Sequence, residues 1–221
     1  MNIKMIDYIE CETPIGKMCL VSAPLGPEGS AGAQEIALSG AWFVGQKHLP
    51  RVSEGLSDPN YASYWREVRR KDNAVLALAA DELARYFAGE KFRFSVPMNP
   101  GGAGLKDLFP AIPTPFQLKV WSVISEVEWG KTITYGGIAK SFKLPRGTHT
   151  APRAVGKAVG SNPLVVFIPC HRVVAADGSS VGYAGGMARK EFLMELEGHK
   201  PIELSKTPGR GYGINSTYVP S

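Results

Sequence analysis

The string Leu164-Val165-Val166-Phe167-Ile168-Pro169-Cys170-His171-Arg172-Val173-Val174 sets a thiol, an imidazole and a guanidinium side by side after an apolar run. The thiolate is the nucleophilic form of cysteine, and its free pKa of about 8.5 falls beside cations or helix N-termini. Cys next to His is the minimum for a nucleophile with a base. Neighbours on an extended chain point to opposite faces, however. Taken alone, the string therefore fits either a catalytic Cys170 or a buried structural thiol. Glu197 stands near the end of a helical pattern, where a carboxylate opposes the helix dipole. It reads either as the orienter of a base or as a surface acid. Tyr135 reads as a functional hydroxyl or as a core or rim tyrosine. Cys11 and Cys19 lie in strand-like text and read as small hydrophobes. Three cysteines build no disulfide framework and no zinc knuckle, and they fit a reducing, cytoplasmic setting.

The elements that must position these residues follow from periodicity and punctuation. Residues 3–21 alternate and turn at Thr13-Pro14-Ile15-Gly16, as a β-hairpin does. Residues 35–44 read as a further strand. Between Asn73 and Ala88 the period changes, with Leu76, Leu83 and Phe87 at helical spacing, Asp72 or Asn73 as cap and Gly89 as stop. Residues 97–113 are rich in Pro and Gly and read as a linker. Thr114-Pro115-Phe116-Gln117 forms a capping box that opens a helix running to about Val127. Short helices follow from about Thr134 and over Pro152–Gly160, and the pair suggests a helix-turn-helix. A last helix, Met187–Glu197, points Phe192, Leu193 and Leu196 inward and stops at Gly198. The division is 1–96, an N-terminal α/β domain of a small sheet plus a helix; 97–113, a linker; 114–200, a mostly helical domain carrying the chemistry; and 201–221, a tail.

The 221 residues are 44% hydrophobic and 20% charged, which is ordinary globular composition. No apolar stretch reaches membrane-spanning length, and MNIKMIDYIECE lacks the core of a signal peptide. The net charge of +5 is concentrated in residues 114–200, which carry 11 Lys/Arg against 6 Asp/Glu. A basic half beside a neutral one suits a polyanionic partner, and equally a plain solvated face.

The motif set goes further. Ile168-Pro169-Cys170-His171-Arg172-Val173-Val174, Gly182-Tyr183-Ala184-Gly185-Gly186, Lys190-Glu191-Phe192-Leu193 and Glu197-Gly198 resemble the active-site region of the O-6-alkylguanine-DNA alkyltransferases. Upstream, Thr114-Pro115-Phe116-Gln117, Gly130-Lys131-Thr132-Ile133-Thr134-Tyr135, Arg153-Ala154-Val155-Gly156 and Ser161-Asn162-Pro163 resemble the same family in the same order. The first half resembles it more weakly, through Thr13-Pro14-Ile15-Gly16, Gly45-Gln46-Lys47 and Tyr86-Phe87-Ala88-Gly89.

The resemblance implies a ribonuclease-H-like N-terminal sheet and a helix-turn-helix that enters the minor groove of double-stranded DNA. A flipped O-6-alkylguanine, or less efficiently O-4-methylthymine, then gives its alkyl group irreversibly to Cys170. By resemblance, His171 takes the thiol proton through a water, Glu197 orients His171, and Tyr135 protonates the leaving guanine. Arg153 fills the gap left in the base stack, and Tyr135, Gly136, Ala154 and Gly156 face DNA. Asn162, Val181, Gly182, Tyr183 and Ala184 form the substrate pocket. No cofactor is implied, no metal ligand set is matched, and a monomer is expected.

Three features depart from the family pattern: a longer loop over 143–151, Pro152 directly before Arg153, and Ala184 where some relatives have Ser. Three other readings compete. Cys170 argues against a lesion-flagging binder that lacks the cysteine. A transcription regulator would prefer one DNA sequence, and a thiol hydrolase would turn over repeatedly.

Overall fold

The computed structural model describes residues 6–24, 35–46, 65–100, 113–142 and 152–199. Most of the expected linker, the loop 143–151 and the tail 201–221 lie outside the described residues.

Strands β1 (Ile6–Cys11) and β2 (Met18–Pro24) form the expected antiparallel hairpin. Its turn closes with Gly16 donating to the Thr13 carbonyl at 3.1 Å. β3 (Ile36–Phe43) pairs antiparallel with β2, with a register shift at Val21/Ser22. β4 (Trp65–Glu67) pairs parallel with β1, giving the order β3-β2-β1-β4. Alternate residues of β2 serve two apolar layers. Met18 and Leu20 join the main core, while Cys19, Val21 and Ala23 pack with Tyr8, Trp42 and Trp65 on the opposite face. Gly40 is required by packing, because a Cβ there would stand 1.9 Å from the Trp42 ring.

Helix α1 (Ala74–Phe87) covers the core face of this sheet. Asn73 caps it by accepting from the Leu76 amide at 3.1 Å, while its own amide donates to Ser22 at 2.9 Å. Leu76, Ala79, Ala80, Leu83 and Tyr86 form the buried stripe.

The second half begins at the capping box of α2 (Pro115–Ser125), which is present in full between Thr114 and Gln117. α3 (Tyr135–Ser141), capped by Thr134, and α4 (Pro152–Gly160) pack against each other. The Trp121 indole ties α2 to α4 by donating to the Ala158 carbonyl at 2.8 Å. A parallel pair, β5 (Ile133–Thr134) and β6 (Val173–Val174), precedes α5 (Met187–Leu196).

The two halves share one hydrophobic core. The segment leading to Cys170 docks on the free edge of β3: Ala41 donates to the Pro163 carbonyl at 2.9 Å and Val165 donates to that of Ala41 at 3.0 Å. Just beyond, Val166 takes φ 76°, the left-handed value a β-branched residue rarely adopts and, among the described residues, the one such case outside glycine.

One expectation needs correcting. Leu193 is buried and Leu196 packs half-buried against the core as expected, but Phe192 is half-buried outside the core cluster, and the buried stripe of α5 is Lys190, Leu193 and Met194, continued by Glu197. The helix is rotated so that two charged residues, spaced seven apart, reach the interior together.

Candidate active site

Cys170 opens a single 3-10 turn, Cys170–Arg172, whose three residues are all buried. Its sulfur receives a hydrogen bond from the Asn162 amide at 3.1 Å. The same Nδ2 donates to the Ile168 carbonyl at 2.8 Å, and Asn162 Oδ1 accepts from the Leu164 amide at 3.0 Å. Asn162 thus fixes the course of the chain around the sulfur. Burial pushes the Cys170 thiol up to about 11, against the opposing effects of the Asn162 amide and the nearby Lys190 cation. The resting group is a thiol, so its proton must leave as the reaction proceeds.

His171 is fully buried, and its Nε2 lies 2.8 Å from Glu197 Oε1. Because Glu197 is an acceptor, Nε2 carries the hydrogen and Nδ1 is the bare nitrogen. Nδ1 is buried with no hydrogen-bond partner among the described residues. Burial lowers the pKa of His171, while Glu197 opposes the shift.

Glu197 receives donors on both oxygens. Arg172 donates Nε to Oε2 and Nη2 to Oε1, each at 2.8 Å. The Tyr86 hydroxyl donates to Oε1 at 2.7 Å, and the Gly130 amide to Oε2 at 3.3 Å. The remaining Arg172 nitrogen, Nη1, donates to the Val127 carbonyl. Bonds from His171 and Arg172 hold the carboxyl well below the usual range despite its burial, so Glu197 is an anion at neutral pH. Lys190, also fully buried, donates Nζ to the Val173 carbonyl at 2.7 Å.

Above the sulfur lies a cavity of about 210 Å³, lined by Tyr135, Gly156, Val159, Gly160, Cys170, Gly182, Tyr183 and Ala184. Tyr135 stands at the first position of α3, where its hydroxyl donates to the Val181 carbonyl at 3.1 Å. The Tyr183 hydroxyl is buried without a partner among the described residues. Of the expected pocket residues, Gly182, Tyr183 and Ala184 line the cavity, whereas Asn162 and Val181 do not. Asn162 sits behind the sulfur, and Val181 is 43% exposed, contributing its carbonyl rather than its side chain.

Arg153 and Ala154 are exposed in the first turn of α4, near Gly156, and Gly136 is half-buried in α3. A Cβ at Gly156 would meet the Tyr135 ring at 3.8 Å, an ordinary contact, so helix packing alone does not demand glycine there. Among the described residues, no three His, Cys, Asp or Glu side chains group to hold a metal ion, and no helix is long and apolar enough to cross a membrane.

A methylated-DNA–protein-cysteine methyltransferase of Methanosarcina acetivorans is 39% identical over 160 residues, covering 70% of this chain and 93% of that protein. The chain belongs to this family. Residues 115–199 match the DNA binding domain of 6-O-methylguanine DNA methyltransferase. The inducible methylated-DNA–protein-cysteine methyltransferase of Bacillus subtilis is 34% identical over 167 residues, 76% of this chain and 84% of that one. The crystal structure of Mycobacterium tuberculosis OGT in complex with DNA superposes with a TM-score of 0.63 and 31% identity, covering 87% of this chain and 93% of that one. The mixed sheet followed by a helical region is therefore the fold of this methyltransferase family.

Three residues of this methyltransferase's site carry no role in the sequence reading: Tyr86, Arg172 and Lys190. Lys190 and Glu197 share the α5 face of Leu193 and Met194, and a Lys on an apolar stripe is a visible signal. Arg172 stands between buried Cys-His and Val-Val, which is also a signal. For Tyr86 the sequence offers only its place in the weakly family-like Tyr86-Phe87-Ala88-Gly89, and no local pattern gives it a partner 85 or more positions away.

Proposed function

We propose that this methyltransferase reverses O-6-alkylguanine damage in double-stranded DNA by accepting the alkyl group on Cys170, and does so with lower efficiency for O-4-methylthymine. The observation that carries this reading is the buried Cys170 sulfur at the floor of a cavity, hydrogen-bonded by Asn162 and beside a His171–Glu197 pair with a bare Nδ1. The chemistry is one displacement. The carbon–oxygen bond to guanine breaks and a sulfur–carbon bond forms. The thiol proton passes through a bridging water to His171 Nδ1, and Tyr135 delivers a proton to the departing guanine. The thioether is stable, so each chain acts once.

α3 and α4 form the helix-turn-helix in this reading. It presents Arg153, Ala154, Gly136 and Gly156 to the minor groove, with the Arg153 guanidinium entering the stack in place of the flipped base. The small sheet with α1 is the ribonuclease-H-like N-terminal domain within 1–96, and 114–200 is the acceptor domain. The protein acts as a cytoplasmic monomer without cofactor or metal.

The test is intact-protein mass after incubation with a duplex carrying O-6-methylguanine, followed by peptide mapping. One methyl group per chain, on Cys170 and absent in Cys170→Ala, is the expected result. Methyl uptake by Cys170→Ala would overturn the assignment, and tight lesion binding without uptake would make the protein a lesion-flagging binder.

A further inference from the structure

We propose that Tyr86, on a helix of the N-terminal half, is a positioning residue that fixes the proton arrangement of His171 and Glu197 for alkyl transfer. The inference rests on the reading of Cys170 as acceptor. Tyr86 is 1% exposed on the last turn of α1, with Phe87, Phe94, Trp129 and His171 packed around its ring. Its hydroxyl donates to Glu197 Oε1 at 2.7 Å and lies 3.3 Å from His171 Nε2. The hydroxyl hydrogen is therefore committed to the carboxylate, and the phenol oxygen turns its lone pairs toward Nε2. A bare Nε2 would face two acceptor oxygens at once. The arrangement admits one neutral tautomer, hydrogen on Nε2, and leaves Nδ1 free to take the thiol proton.

The hydroxyl does a second thing. Oε1 already accepts from His171 and Arg172, and a third donor draws charge from it. That weakens the pull of Glu197 on the Nε2 proton, so the proton stays on the imidazolium when His171 is charged. Among the described residues, the charged and titratable groups around this pair are Glu197, Arg172, Lys190, Tyr86, Cys170 and Tyr183. Of these, Tyr86 alone comes from the first half of the chain. The acceptor site is thus completed by α1.

The test is Tyr86→Phe in the full chain, which keeps the ring and deletes the hydroxyl. Single-turnover methyl transfer from an O-6-methylguanine duplex is followed as a function of pH, with 15N NMR of His171 in both proteins. Final uptake of one methyl per chain should persist while the rate constant falls about tenfold, the usual scale for one hydrogen bond to a buried charge. Without the hydroxyl, Oε1 is more basic and stabilises the imidazolium, so the acidic limb of the rate profile should move to higher pH. The wild-type spectrum should show hydrogen on Nε2. A Tyr86→Phe variant with unchanged rate and profile, or a wild-type His171 with hydrogen on Nδ1, overturns the inference. A rate loss with an unmoved profile makes Tyr86 a packing residue. Failure of the wild-type chain to take up methyl overturns the acceptor reading instead, and the change in the His171 15N titration between wild type and Tyr86→Phe still decides the role of Tyr86.

Discussion

Replacing Arg172 by Met should unfold the protein far more readily at neutral pH than in acid. Arg172 makes two charge-assisted bonds to a carboxylate whose side chain is fully buried, and its own side chain is 9% exposed. Removing one partner of such a pair leaves a buried charge uncompensated and costs about 3–5 kcal/mol. The Val127 carbonyl also loses its donor, which places the expected loss toward the upper end of that range. The folded pKa of Glu197 is depressed, so its stabilisation is complete above an unfolded value of about 4.3 and is lost as pH falls toward the folded value. The Met variant loses the Arg172 share of that depression, while the bond from His171 remains. The deficit of the variant should therefore shrink as pH falls below 4.3, by at most about 1.4 kcal/mol per pH unit, or up to about 2 kcal/mol at pH 3. Urea denaturation of both proteins at pH 7 and pH 3 measures this. A loss below about 1 kcal/mol at pH 7, the range of a surface ion pair, would refute the reasoning. So would a deficit that acid leaves unchanged.

Other consequences are equally direct. Asn162→Ala removes three buried hydrogen bonds around the sulfur; it should cost about 2–4 kcal/mol in thermal unfolding and slow methyl transfer in single-turnover kinetics. Gly40→Ala drives a methyl group into Trp42; denaturant unfolding should show a loss of about 1–3 kcal/mol. Burial lowers Lys190 to about 8, so its charged form disfavours folding below that pH, and the penalty fades as pH rises toward the unfolded value of about 10.4. The stability of Lys190→Met relative to wild type should accordingly fall by about 3 kcal/mol between pH 7 and pH 10.5; a difference independent of pH would refute the burial of a charged Lys190.

Local signals in the sequence survive into the structure where one or two residues decide the outcome. The capping box at Thr114 and Gln117, the Asn73 cap and the turn at Thr13–Gly16 are chemistry contained within four residues. The cysteine motif is legible for the same reason. What could not be read is whatever depends on distant partners. The parallel pairing of β4 with β1 joins residues 59 positions apart, as in the Arg66–Asp7 bond. The rotation of α5 is only partly legible because apolar Phe192 outweighs Lys190 in a hydrophobicity pattern, although Lys190 finds a buried carbonyl and Glu197 a buried arginine. The placement of Asn162 behind the sulfur rather than in the pocket follows from three bonds to a tight backbone course that includes Val166, which no periodicity reveals.

The carboxylate that gathers the site has one more property, and it lies in time. Tyr86, Gly130, His171 and Arg172, the residues that donate to Glu197, all precede it in the chain. Synthesis runs from the N-terminus, so the ribosome delivers the cations and the nucleophile first and their common counter-charge afterwards. Until Glu197 has emerged, Arg172 and His171 lack the carboxylate they bury against, although Asn162 can already set the course of the turn that bears Cys170. Assembly of the reactive centre therefore waits on α5, and a nascent chain stalled short of it would keep the Asn162 bond to Cys170 but leave His171 without the carboxylate that orients it.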